Sequence, residues 1–179
     1  MNVIPTQIEG LVVIEPKVHG DERGFFLESF NSQRYLEQAG IDVPFVQDNH
    51  SRSKHGVLRG LHFQIHKPQA KLVRCVVGEV FDVAVDLRKD SSTYGQWFAV
   101  LLSAENKKQL YVPPGFAHGF QVTTEFAEFE YKCSDYYAPD DEGGILWSDP
   151  DLAIPWPVGD PAISEKDLLL PHLADLKLN

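Results

Sequence analysis

The chain has 179 residues, 43% of them hydrophobic and 23% charged, which suits one globular domain spanning 1–179 and excludes a disordered chain. Acidic residues outnumber basic ones 26 to 16, for a net charge of −10, so neither nucleic acid nor an anionic membrane is expected as a partner. Two cysteines, Cys75 and Cys133, are too few for a disulfide scaffold or a cysteine-rich zinc site and read as reduced, buried thiols. No apolar run approaches the roughly 18 residues of a membrane span. Met1 to Gln7 has neither a basic segment nor a long apolar one, so no secretory leader is read there and a cytoplasmic location is expected.

Taken in chain order, most of the sequence alternates with a period of two. Strands are predicted over 11–15, 24–30, 45–51, 57–65, 71–77, 80–87, 96–102, 109–112, 118–123 and 126–133. Gly56, Gly78, Gly95 and Pro113-Pro114-Gly115 punctuate them. Across 80–87, Phe81, Val83, Val85 and Leu87 share one face, and Asp82, Ala84 and Asp86 share the other. Across 126–133, Ala127, Phe129, Tyr131 and Cys133 oppose Glu128, Glu130 and Lys132. A short helix is predicted over 32–40, stopped by Gly40, and another over 164–170 with Ser164 as N-cap. The tail from Pro150 is expected to pack over one end. Many short strands and little helix give an all-β fold, with a jelly roll as a natural solution.

Charge is unevenly spread. Between Asn49 and Gly78 there is no Asp or Glu, yet the stretch holds Arg52, Lys54, Arg59, Lys67, Lys71 and Arg74, with His50, His55, His62 and His66. Such an island can focus an anionic ligand, and Arg suits phosphate because its planar fork donates in pairs. The same pattern also fits a solvated basic sheet edge.

Within the island, Arg59-Gly60-Leu61-His62-Phe63-Gln64 reads as a strand that directs His62 and Gln64 to one face. Arg59 has the opposite parity unless Gly60 forms a bulge. His62 fits either a general base or a hydrogen-bonded structural histidine. Lys71, at the start of the next strand, needs an anionic partner if it faces a barrel interior. A metal site on His62 and His66 is disfavoured, because i, i+4 spacing suits a helix and no carboxylate lies between His62 and Glu79. His118 follows a tight turn and fits a ligand donor or a core histidine equally. Tyr131 alone reads as a core tyrosine.

Longer strings carry more. Val57-Leu58-Arg59-Gly60-Leu61-His62-Phe63-Gln64, Lys71-Leu72-Val73-Arg74-Cys75 and Gly115-Phe116-Ala117-His118-Gly119-Phe120 closely resemble the dTDP-4-dehydrorhamnose 3,5-epimerase family. So do Gly20-Asp21-Glu22-Arg23-Gly24-Phe25-Phe26, Phe45-Val46-Gln47-Asp48-Asn49-His50-Ser51 and Val80-Phe81-Asp82-Val83-Ala84-Val85-Asp86. The resemblance runs in order through almost the whole chain. It implies a cupin-type jelly roll with a few short helices, a homodimer, and no metal or redox cofactor. The implied reaction inverts C3 and C5 of dTDP-4-dehydro-6-deoxy-D-glucose.

By the same resemblance, His62 is the base, Tyr131 the acid, and Lys71 the group that stabilises the enolate oxygen. Asp167 or Asp82 orients His62, and the sequence leaves open which. Arg59 and His118 belong with the sugar and diphosphate, and Gln47 and Asn49 with the nucleotide sugar. Arg23, Phe26 and Glu28 lie on a segment that reaches a dimer partner's site, and Glu142 and Lys166 fall on ligand-contacting positions. A single-site epimerase, a 3,4-ketoisomerase and a non-catalytic sugar- or metal-binding cupin are the alternatives. The joint presence of His62, Lys71 and Tyr131 favours catalysis, because binding alone needs no acid–base pair.

Overall fold

The computed structural model describes residues 1–177. Thirteen strands form β1 (Asn2–Pro5), β2 (Val12–Glu15), β3 (Val18–Asp21), β4 (Gly24–Leu27), β5 (Gln47–Lys54), β6 (Leu58–Gln64), β7 (Lys71–Val77), β8 (Glu79–Asp86), β9 (Trp97–Ser103), β10 (Gln109–Val112), β11 (Phe116–Val122), β12 (Phe126–Cys133) and β13 (Glu142–Gly144). One sheet has the order β1-β2-β10-β7-β12-β5, the other β13-β6-β11-β8-β9, and β3 and β4 form a separate hairpin. Neighbouring strands within the two large sheets are antiparallel, including pairs as distant in sequence as β5 and β12. This is a cupin-type jelly roll.

The period-two pattern explains the packing. From the six-stranded sheet, Val13, Val73, Cys75, Leu110, Ala127 and Phe129 point inward and meet Val80, Ala84, Phe116, Phe120 and Val122 of the other sheet. The opposite face of the five-stranded sheet is equally apolar. Its Leu61, Val83, Val85 and Ala117 are covered by Leu152, Ile154, Trp156, Leu173 and Leu176. The tail therefore packs on a sheet face, while its residues 162–167 lie at one end of the barrel, as the sequence suggested. The parity read over 80–87 holds, but both faces are buried, and the acidic one looks into the barrel, with Asp82 and Asp86 both fully buried.

Asp86 is satisfied there by Arg88 Nε and Nη2 at 2.9 and 2.8 Å, and by the hydroxyls of Ser91 and Thr93 at 2.6 and 2.7 Å. Burial alone would raise its carboxyl pKa, but these donors hold it well below the usual carboxylate range.

Helix α1 (Ser32–Ala39) forms as predicted. Asn31 caps its first turn by accepting from Arg34 N, and Gly40 ends it at φ 67°. Its Tyr35 packs with Ile14, Leu72 and Tyr111 on the outer face of the six-stranded sheet. The Tyr35 hydroxyl donates to Gln109 Oε1 at 2.7 Å, and burial pushes its pKa up to about 12. Helix α2 (Glu165–Leu168) is a single turn whose N-cap, Ser164, accepts from Asp167 N at 3.1 Å.

Candidate active site

One end of the barrel opens into a cavity of about 780 Å³. The six-stranded sheet lines it with Gln47, Asn49 and Ser51 of β5, Lys71 of β7, and Phe129, Tyr131 and Cys133 of β12. The five-stranded sheet contributes Arg59 and His62 of β6, His118 of β11 and Glu142 of β13, and the tail adds Lys166 and Asp167.

The basic island of β5, β6 and β7 divides by strand parity. Arg52, His50 and Arg74 point outward and pair with Glu128 and Glu130. Arg59 and Lys71 point inward. His66 lies on the following loop, with Nδ1 2.7 Å from Asp141, so it does not converge with His62.

A bulge brings Arg59 to the cavity. His118 pairs with His62 and Phe120 with Arg59, so Gly60 and Leu61 together oppose the single residue Gly119. This places Arg59 and His62 on one face, resolving the parity that the sequence left conditional. The backbones approach so closely that a Cβ on Gly60, at φ +121°, would lie 2.6 Å from Gly119 Cα.

Each of the two cavity histidines pairs with an aspartate. His62 Nε2 lies 2.7 Å from Asp167 Oδ1, and the other Asp167 oxygen accepts from Gly60 N at 3.4 Å. His118 Nε2 lies 3.0 Å from both oxygens of Asp82. The structure therefore assigns Asp167 to His62 and Asp82 to His118. Burial would raise the Asp167 pKa, but the bonds from His62, Gly60 N and Ser164 hold it below the ordinary value.

Glu142 Oε1 is 4.0 Å from His62 Nδ1, and its other oxygen accepts from Lys166 and from the Tyr137 hydroxyl. These donors outweigh burial and lower the Glu142 pKa. Gln47 joins the wall by donating to Asn49 at 3.0 Å and accepting from Tyr137 N at 2.9 Å.

Tyr131 and Lys71 stand on the sheet opposite His62. Burial, reinforced by Cys133 and Glu142, raises the Tyr131 pKa against the pull of Arg59, so its phenol keeps its proton. Burial lowers the Lys71 pKa, while Cys133, Asp82 and Glu142 act to raise it. Tyr137 and Ser51 line the cavity and were not singled out from sequence. Tyr137 belongs to no strand, and Ser51 is one polar residue among many on β5.

Arg23, Phe26 and Glu28 are not part of this cavity. Arg23 and Phe26 sit on the β3–β4 hairpin, with the Arg23 side chain 90% exposed and Phe26 70% exposed. Glu28 follows the hairpin and pairs with Arg34 at 3.2 Å.

The model of the dTDP-4-dehydrorhamnose 3,5-epimerase family matches residues 5–175. The chain belongs to this family. A dTDP-4-dehydrorhamnose 3,5-epimerase from Shigella flexneri is 60% identical over 169 residues, covering 94% of this chain and 93% of its own. The solved dTDP-6-deoxy-D-glucose-3,5-epimerase of Legionella pneumophila Philadelphia 1, in complex with dTDP-4-keto-L-rhamnose, superposes with a TM-score of 0.96 at 55% identity, covering 98% of this chain and 94% of its own. A 3′-monoepimerase from Streptomyces bikiniensis, in complex with dTDP-quinovose, gives 0.90 at 39% identity, covering 96% and 87%. An epimerase is an isomerase, and the chain is an enzyme of that class. Among the described residues, no helix is long and apolar enough to cross a membrane.

Proposed function

We propose that this chain inverts C3 and C5 of dTDP-4-dehydro-6-deoxy-D-glucose, the step that yields dTDP-4-dehydro-6-deoxy-L-mannose in dTDP-L-rhamnose biosynthesis. The observation that carries this reading is the placement of a His62–Asp167 pair and a protonated Tyr131 on opposite sheets lining one cavity. Both target carbons flank the C4 ketone, so losing either proton gives an enolate. His62, held by Asp167, takes the proton from one face. Negative charge then develops on the C4 oxygen, and Lys71 Nζ donates to it as it appears. Tyr131 delivers a proton to the opposite face of the same carbon and regains one from solvent, His62 releases the proton it took to solvent, and repetition at the second carbon completes the reaction.

His118, Arg59, Gln47, Asn49, Glu142 and Lys166 hold the sugar, diphosphate and nucleoside in this reading. The chain works as one cupin-type domain in the cytoplasm, without metal or redox cofactor. It acts as a homodimer in which Arg23, Phe26 and Glu28 serve a partner's cavity. The exposure of Phe26 on a hairpin outside its own cavity supports that role.

Proton NMR of the substrate in heavy water tests the reaction. Enzyme-dependent deuterium at both C3 and C5, with the L-sugar trapped by a reductase, is the expected result. Label at one carbon only would make the chain a monoepimerase, and a 3-keto product would make it an isomerase of another kind. Replacing Tyr131→Phe should leave exchange through His62 while impairing inversion. Full inversion in that variant would remove Tyr131 as the acid.

A further inference from the structure

The inner face of β5 presents Gln47, Asn49, Ser51 and Ser53 in a row. Three of these four side chains are engaged. Gln47 donates to Asn49, Asn49 Nδ2 reaches Cys133 Sγ at 3.6 Å, and Ser53 Oγ accepts from Arg59 Nε at 3.0 Å. Ser51 is the exception. Among the described residues, its Oγ is the one buried side-chain polar atom without a hydrogen-bond partner. Leaving a hydroxyl closed off and unpaired costs stability, so such an atom calls for an explanation.

Arg59 supplies the second observation. Ser53 occupies its Nε, which leaves the two terminal amino groups as the remaining donors. Lys166 is paired with Glu142 and His62 with Asp167, whereas Arg59 has no carboxylate partner among the described residues. Alternate residues on a strand are about 7 Å apart. An anion on the free edge of Arg59, which is anchored at Ser53, therefore lies within reach of the next inward side chain on β5, Ser51.

We propose that Ser51 is the second anchor of a diphosphoryl site. When a nucleoside diphosphate enters, the Ser51 hydroxyl turns about χ1 and donates to a phosphoryl oxygen held by Arg59. Exchange between staggered wells is open to a serine side chain, and a hydrogen bond to a charged oxygen is stronger than a neutral one. The hydroxyl, which has no partner within the protein, is satisfied by the ligand. This assignment rests on the nucleotide-sugar reading above and adds a residue to it.

The test is Ser51→Ala, titrated calorimetrically with dTDP and separately with thymidine, together with its melting temperature without ligand. Affinity for dTDP should fall about tenfold, while affinity for thymidine should not change. The melting temperature should match or exceed that of the parent, because the substitution removes an unmet hydroxyl. Unchanged dTDP affinity, or equal weakening of dTDP and thymidine, would overturn the assignment. A parent protein that binds dTDP in a Ser51-dependent way but exchanges no deuterium would refute the epimerase reading and leave Ser51 in place. A parent that does not bind dTDP would overturn both.

Discussion

The two histidine–aspartate pairs on the cavity wall are made of the same side chains but are built differently. His118 and Asp82 sit on neighbouring strands, β11 and β8, with side chains 7% and 0% exposed, and Asp82 offers both oxygens at equal distance. His62 and Asp167 join β6 to a one-turn helix in the tail, and His62 is 28% exposed. The first pair is fixed by the ladder that forms the sheet. The second has a solvent-accessible imidazole, as a group that must take up and release protons during each turnover needs. A buried pair inside a sheet suits binding and stability, and a pair that bridges two elements and leaves its imidazole partly exposed suits proton transfer.

The largest expected effect is at the His62–Asp167 pair. His62→Ala should slow deuterium exchange at both C3 and C5 by about 10⁴-fold, with circular dichroism unchanged. Exchange persisting at either carbon would show a second base.

Asp167→Asn keeps the shape and removes the charge, and should slow exchange by about 10²-fold. It should also change acid stability. The folded pKa of Asp167 lies below its ordinary value of 3.8. Its stabilisation is therefore complete above that value and is lost as pH falls through the folded one. Urea melts below pH about 4 should lose less stability in Asp167→Asn than in the parent.

Asp82→Asn should reverse the balance. We expect a loss of about 1–3 kcal/mol in urea denaturation, because a buried imidazole loses its charged acceptor, with less than a tenfold effect on exchange. Equal kinetic losses in Asp82→Asn and Asp167→Asn would erase the distinction between the pairs. The smallest effect belongs to Ser164→Ala, which removes the cap under Asp167 and should cost about 1 kcal/mol. A matching few-fold drop in exchange would show that the cap steadies the base through Asp167.

Much of the fold was legible because alternation is a local signal. The inward set Ala127, Phe129, Tyr131 and Cys133 was read directly from β12. Other elements carry no such signal. β13 is Glu-Gly-Gly, a strand defined by backbone pairing with β6 and not by any side-chain pattern. β1 has four residues and ends on Pro5, which cannot donate to a ladder. Alternation separated the two faces of β8 but could not say which turns inward, and the partners His118 and Arg88 let the acidic one do so.

The site was legible unevenly for the same reason. The arginine, histidine and lysine of the basic island could be seen, but parity could not place Arg59 without the bulge at Gly60. The partner of His62 is 105 residues away, beyond the reach of any local pattern, and family resemblance narrowed it only to two aspartates. Ser51 is distinguished from its neighbours only by the bond it lacks.

Asp167 also follows every strand of the jelly roll in the chain. A ribosome releases both sheets, the cavity and the opposing Tyr131 before the carboxylate that orients the base. The nascent protein can therefore pair its strands while its imidazole is still unoriented. The catalytic pair forms only when α2 docks against β6, after the sheets that carry its imidazole.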